Sequence, residues 1–136
     1  MAWHPSCVSL RETSQNGSKS LESAANIVRS GECIRSLQHR GILIRVIHES
    51  GALQVVRTDI DPGGAFDNFE LGDSPAYHLV LDGNPVFRAS NRLDHLMPGD
   101  SIVFSDARPY TVSNNAPSRS VILTVLFRDS NRDARS

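Results

Sequence analysis

The side chains able to do chemistry are few in type. The 136 residues carry five histidines (His4, His39, His48, His78, His95), two cysteines (Cys7, Cys33) and one tryptophan, Trp3. Of the fourteen cationic residues, only Lys19 is lysine and the other thirteen are arginine. Lys19 sits in a polar stretch, RETSQNGSKS, which argues against Schiff-base catalysis and against a P-loop lysine. No serine occupies a nucleophile elbow, and no glycine-rich loop opens a helix to cradle a dinucleotide. Two cysteines, far apart and one of them near residue 1, make neither a disulfide framework nor a zinc site. Cys33 reads as a small buried hydrophobe. Five histidines leave metal chemistry open.

Placement separates the histidines. His39, His48 and His95 fall near turns and read as surface residues. His78 lies inside an apolar, strand-like run, AYHLVLD. Alternate residues of a strand share a face, so Ala76, His78 and Val80 go together, as do Tyr110, Val112 and Asn114. Arg57, in the middle of LQVVRTDI, reads either as a clamp for a carboxylate or phosphate or as a salt-bridged residue on a solvated face. Arg108, beside Pro109, reads either as a contact for a substrate anion or as half of a surface ion pair.

The elements that must carry these residues are mostly strands. ILIRVIH (42–48), a turn at Glu49-Ser50-Gly51 and Leu53–Ile60 read as a hairpin. Tyr77–Leu81 runs into Asp82-Gly83-Asn84-Pro85, a strong turn signal, and Val86-Phe87 begins the return. Pro98-Gly99-Asp100 precedes Ser101–Phe104, and Tyr110–Ser113 leads through a polar turn to VILTVLF (121–127), expected to be buried on both faces. One short helix is expected over about 20–29, with Ser20 as its cap and Gly31 as its stop. Seven or eight short strands with no helix between them indicate an all-β sandwich or barrel. The organisation expected is an N-terminal segment (1–35), a barrel (36–128) and a polar tail (129–136).

Bulk composition narrows the function classes. Fourteen Lys and Arg against fifteen Asp and Glu give a formal charge of −1, which argues against direct nucleic-acid binding. No apolar run approaches the ~20 residues of a membrane span. The opening MAWHPSC lacks the basic and apolar regions of a secretory signal, so the cytosol is the expected compartment.

Between Pro62 and Phe127 the order of turns resembles the cupin family of jelly-roll barrels. The frame of the family's first motif is matched by Pro62-Gly63-Gly64 and by AYHLVLDG ending at Gly83. Its second motif is matched by Pro98-Gly99-Asp100, Ser101–Phe104, Pro109, position 110 and Asn114. SDARPY is also similar to the ligand-binding domains of AraC-type regulators. The family holds its metal with two histidines, a glutamate and a second-motif histidine. The glutamate position falls here on Ala76, the histidine pair near Phe69–Gly72 and the last histidine on Tyr110, so Glu70 is the one coordinating residue in place. The expectation is therefore no metal and no cofactor.

The resemblance turns the face of Ala76, His78 and Val80, and that of Tyr110, Val112 and Asn114, into the barrel. It makes Asp67 and Glu70 their neighbours. On the enzyme reading, His78 is the base, Tyr110 the proton donor or oxyanion partner, and Glu70 the group that orients the imidazole. On the binding reading, Arg57, Asp67, Val80, Arg108, Val112 and Asn114 line the ligand site. A plainer reading stands beside both: His78 as a hydrogen-bonded core histidine, Tyr110 as a packing residue and Glu70 on an exposed loop. The expected function is a metal-independent cupin that binds a small organic molecule, as a cofactor-free isomerase, epimerase or cyclase. The alternative is a ligand-sensing domain acting through a partner. A homodimer formed by sheet-to-sheet contact is expected in either case.

Overall fold

The computed structural model describes residues 25–72, 74–106 and 108–128. Ten strands follow one another: β1 (Arg35–His39), β2 (Ile42–Glu49), β3 (Leu53–Ile60), β4 (Ala65–Asp67), β5 (Ala76–Asp82), β6 (Val86–Ala89), β7 (Arg92–His95), β8 (Ser101–Phe104), β9 (Thr111–Ser113) and β10 (Ser120–Phe127). A 3₁₀ turn, Asn68–Leu71, lies between β4 and β5. The helix expected over 20–29 is not seen where the structure describes that stretch. Residues 25–29 belong to no helix or strand, and the rest of it lies outside the described residues.

The strands form two antiparallel sheets, in the orders β1-β2-β3-β10-β5-β8 and β4-β9-β6-β7. Facing each other, β3-β10-β5-β8 and β4-β9-β6-β7 make the eight-stranded jelly roll, and β2 and β1 extend the first sheet beyond β3. Strand alternation explains the core. Ile42, Ile44 and Val46 of β2, Val56 and Ile60 of β3, and Ile122 and Leu126 of β10 all turn inward and are buried. They meet Phe66, Phe87 and Val112 of the smaller sheet in one cluster.

Two expectations change here. VILTVLF is buried on its inner face, but Leu123 and Val125 are only half-buried and Phe127 is exposed. The outer face of β10 therefore belongs to an open apolar surface. Cys33 is buried, as expected of a small hydrophobe, yet it is also disulfide-bonded.

The turn that ends β5 depends on one glycine. Gly83 has φ +84°, a conformation L side chains rarely adopt, and a Cβ there would come within 2.6 Å of Ser120 Cα and 2.7 Å of the Arg119 carbonyl oxygen. Backbone atoms cannot yield as a flexible side chain can. Gly83→Ala should therefore lower stability by roughly 2–4 kcal/mol through strain and overpacking, read as a shift of the urea midpoint at unchanged slope.

Candidate functional site

The inward face of β5 presents Ala76, His78 and Val80, all at most 1% exposed. His78 lies opposite Thr124 on β10 and opposite Ile102 on β8. Its Nδ1 is 2.7 Å from Thr124 Oγ1, and its Nε2 is 2.8 Å from the Tyr110 hydroxyl. Tyr110 reaches this position because its backbone is clamped. Its N–H donates to Asn68 Oδ1 at 3.1 Å, and its carbonyl accepts from the Asn68 N–H at 3.1 Å.

Aromatic rings close around the imidazole. Ring centroids of Phe87, Tyr110 and Phe104 lie 5.2, 5.4 and 6.0 Å from that of His78. Phe104 stacks on Tyr110 at 4.0 Å with only 5° between planes. Burial in this apolar shell pushes the His78 pKa down from 6.5 to about 3. The ring is therefore neutral at physiological pH, with one nitrogen donating and the other accepting. One flanking hydroxyl must then donate to the ring while the other accepts from it.

Beyond this plug lies open space. A cleft of about 520 Å³ runs between the β6–β7 side and β8, with Phe87 and Phe104 among its lining. Its polar lining includes Ser90, Arg92, Asp94, Ser101, Ser105 and Arg108. His78 and Tyr110 do not reach the cleft. Phe87 and Phe104, which touch both the cleft and the imidazole, separate the two.

The structure brings His78 and Tyr110 together and leaves most of the other candidate residues elsewhere. Glu70 does not orient the imidazole. Its Oε1 accepts from the Asp67 N–H at 3.3 Å, and Asp67 Oδ1 accepts from Phe69 N–H at 3.2 Å, a reciprocal cap on the 3₁₀ turn. Asp67 is exposed and is not among the residues that line the cleft. Thr124 takes the orienting place expected of Glu70. Arg57 is on the outer face of the sheet, where it pairs with Asp59 at 3.1 Å. Val80 and Val112 point inward, but as packed core.

Asn114 is wholly buried, and its contacts are with the backbone. Its Nδ2 donates to the carbonyls of Ile60 and Ser118 at 2.8 Å each, and its Oδ1 accepts from Ala116 N–H at 3.0 Å. Asn114→Ala would take the partner from the buried Ile60 carbonyl and release the turn at Ala116 and Ser118, so a loss of roughly 2–4 kcal/mol is expected in chemical unfolding. Arg108 does line the cleft, with its guanidinium in a bidentate pair with Asp106 at 2.8 and 3.0 Å. That pair holds the exposed Asp106 carboxyl below its ordinary pKa. Thr124, Phe87, Phe104 and Asn68 were not singled out from sequence. The signal for Thr124 was the one polar residue inside VILTVLF, on the same face as Ile122 and Leu126.

No family model and no curated protein matches this sequence. Solved structures do. A cupin superfamily protein from Desulfitobacterium hafniense superposes with a TM-score of 0.58 at 17% identity, covering 68% of this chain and 84% of that one. This chain has the cupin fold. A polyketide cyclase from Streptomyces resistomycificus matches with TM-score 0.55 at 14% identity, over 66% of this chain and 67% of the cyclase. The cupin domain of an XRE family transcriptional regulator from Enterobacter cloacae matches with TM-score 0.56 at 10% identity, over 66% and 98%. At such identities the likeness is one of fold, and that fold is compatible with small-molecule binding or with catalysis.

The residues at the centre of this cupin barrel do not fit a transition metal. The candidate donors there are one imidazole, with both nitrogens already bonded, and two hydroxyls, inside a shell of phenyl rings. Among the described residues, no three His, Cys, Asp or Glu side chains converge. Nor is any described helix long and apolar enough to cross a membrane.

Proposed function

We propose that this cupin binds a small organic molecule in the cleft between β6–β7 and β8, and that binding rather than acid–base catalysis is its role. The carrying observation is the separation of cleft and imidazole. The open volume has an aromatic wall, Phe87 and Phe104, and a polar lining, as ligand pockets do. His78 is sealed behind that wall, with both nitrogens bonded and a pKa near 3. A general base works best with a pKa near the operating pH. The His78–Tyr110–Thr124 set serves as a rigid backing for the wall, and the module signals through a partner.

The second reading is a cofactor-free isomerase or cyclase. It is favoured by the 2.8 Å contact of Tyr110 with His78 and by the fold shared with a polyketide cyclase. It requires Phe87 and Phe104 to part.

A thermal-shift screen of small carboxylic acids, sugars and aromatic polyketide-like molecules tests the proposal. A ligand at a hundred times its dissociation constant adds ~2.7 kcal/mol to stability. Ser105→Trp, which fills the cleft, should abolish that shift without a comparable loss of stability. A ligand that still binds S105W would sink the cleft as its site. Chemical turnover of a bound ligand, lost in Tyr110→Phe, would favour the second reading.

The outer face of the larger sheet supports a homodimer. Tyr77 lies opposite Val103 and Val125, and Leu79 lies opposite Leu123. Val103 and Phe127 are 61% and 45% exposed. Contiguous apolar surface of this kind marks an interface. Sedimentation should give twice the monomer mass, and Val125→Glu should return the monomer.

A further inference from the structure

The β8 edge of the cleft carries an unused row of backbone groups, and that row says what kind of molecule fits there. The cleft is lined by five consecutive residues of this segment, Ser101 through Ser105. Consecutive side chains of a strand point to opposite faces, so a cavity touching all five runs along the strand's edge. Among the described residues β8 is an edge strand, paired only with β5.

The hydrogen-bond phase follows from one contact pair. The Val80 N–H donates to the Asp100 carbonyl, and the Val80 carbonyl accepts from the Gly99 N–H, both at 2.9 Å. Val80 therefore faces β8 with both backbone groups. Alternation along β5 gives His78 and Ala76 the same direction, making His78–Ile102 and Ala76–Phe104 the bonded pairs. The N–H and C=O of Ser101 and Val103 are left pointing out along the free edge. Within the described residues no backbone or side-chain hydrogen bond takes them.

Composition sets this edge apart. Exposed edges are normally guarded by charge, proline or bulges. The other three edges carry charge: Arg35 on β1, Asp67 on β4, and Arg92 and Asp94 on β7. β8 reads Ser-Ile-Val-Phe and carries none.

We infer that the occupant of the cleft is an extended, amide-bearing chain, a short peptide that adds to the larger sheet as a strand beside β8. The inference rests on the reading of the cleft as the ligand site. The main chain of the peptide bonds to Ser101 and Val103, and its alternate side chains face the Phe87–Phe104 wall.

Amide spectra of the ¹⁵N-labelled protein test this, with acetyl-Val-Thr-Val-Thr-amide as probe. Shifts are expected at Ser101–Ser105 and Arg92, with slowed exchange of the Ser101 and Val103 N–H. N-methylation of the peptide at one set of alternate nitrogens should weaken binding about tenfold or more, and methylation of the other set should leave it within about threefold. Val103→Pro removes an edge-facing N–H, a change edge strands tolerate, and should fold but lose the peptide. Equal binding of both methylated peptides, or full binding by V103P, overturns the inference. Cleft shifts with benzoate but none with the peptide overturn it and leave the cleft reading standing. No shift with either probe, nor with any compound of the thermal-shift screen, overturns both.

Discussion

Replacing His78 with alanine is expected to lower unfolding free energy by about 4 kcal/mol, with the fold retained only in the most stabilising conditions. Three losses combine. The imidazole is wholly buried, so its removal leaves a cavity walled by Phe87, Phe104 and Tyr110, and aromatic-sized truncations typically cost ~3–5 kcal/mol. The Tyr110 hydroxyl and Thr124 Oγ1 each lose a partner at 2.8 and 2.7 Å in a place water does not reach. An orphaned buried polar group costs ~1–3 kcal/mol, offset in part by relaxation around the cavity. Thr124→Val removes one hydroxyl at nearly constant shape and should cost only about 1–2 kcal/mol. The two substitutions act on one network, so the double variant should be less destabilised than the sum of the single ones. Urea midpoints for the four proteins check this. Additive effects would show that the imidazole and hydroxyl are not coupled as the structure has them.

The second large effect is a pH dependence owed to the same ring. Burial holds the folded pKa near 3, against 6.5 for the unfolded chain. Below pH 6.5 the unfolded chain takes up a proton that the folded chain refuses. The contribution of His78 is thus fully present above about pH 6.5 and is lost as pH falls toward 3. The slope within that window approaches 1.4 kcal/mol per pH unit. Carboxylates held low by arginine, such as Glu49 beside Arg35, lose their own contributions at the acid end. The difference between wild type and His78→Gln, which keeps a donor and an acceptor but does not titrate, isolates the histidine. The advantage of wild type over that variant should shrink steadily from pH 6.5 down to 4. A constant difference would mean that the ring is charged in the folded state.

The sequence was most informative where alternation was long. β3 and β8 were placed to the residue, and β2, β5 and β10 to within one residue at either end. β4, with three residues, and β7, reading Arg-Leu-Asp-His, carry too little apolar pattern to be seen. β1 went unseen for the same reason. At the site, alternation gave the inward face of His78, and the motif frame placed Tyr110 near it. Spacing gives a direction and not a distance, so the plug formed by Phe87 and Phe104 was illegible, and with it the separation of imidazole from cleft. Glu70 was misplaced for a different reason. Asp67 and Glu70, three apart, have capping-box spacing, and that local use competes with any role in the barrel. Arg57 and Asp59 stand two apart on one strand face, which is also the spacing of a surface ion pair.

The position of β10 has a consequence for how the barrel is made. It is the last of the ten described strands, yet it lies between β3 and β5 and pairs with both along most of its length. Until residues 120–127 are available, the larger sheet exists only as two fragments, each with an open apolar edge. Closure then joins partners some 40 to 75 residues apart in sequence, a non-local step of the kind that makes β-rich folds slow. During that interval the β3 and β5 edges are templates for any other extended chain, including a second nascent copy. The centre of the finished sheet is thus the last part to become safe from aggregation.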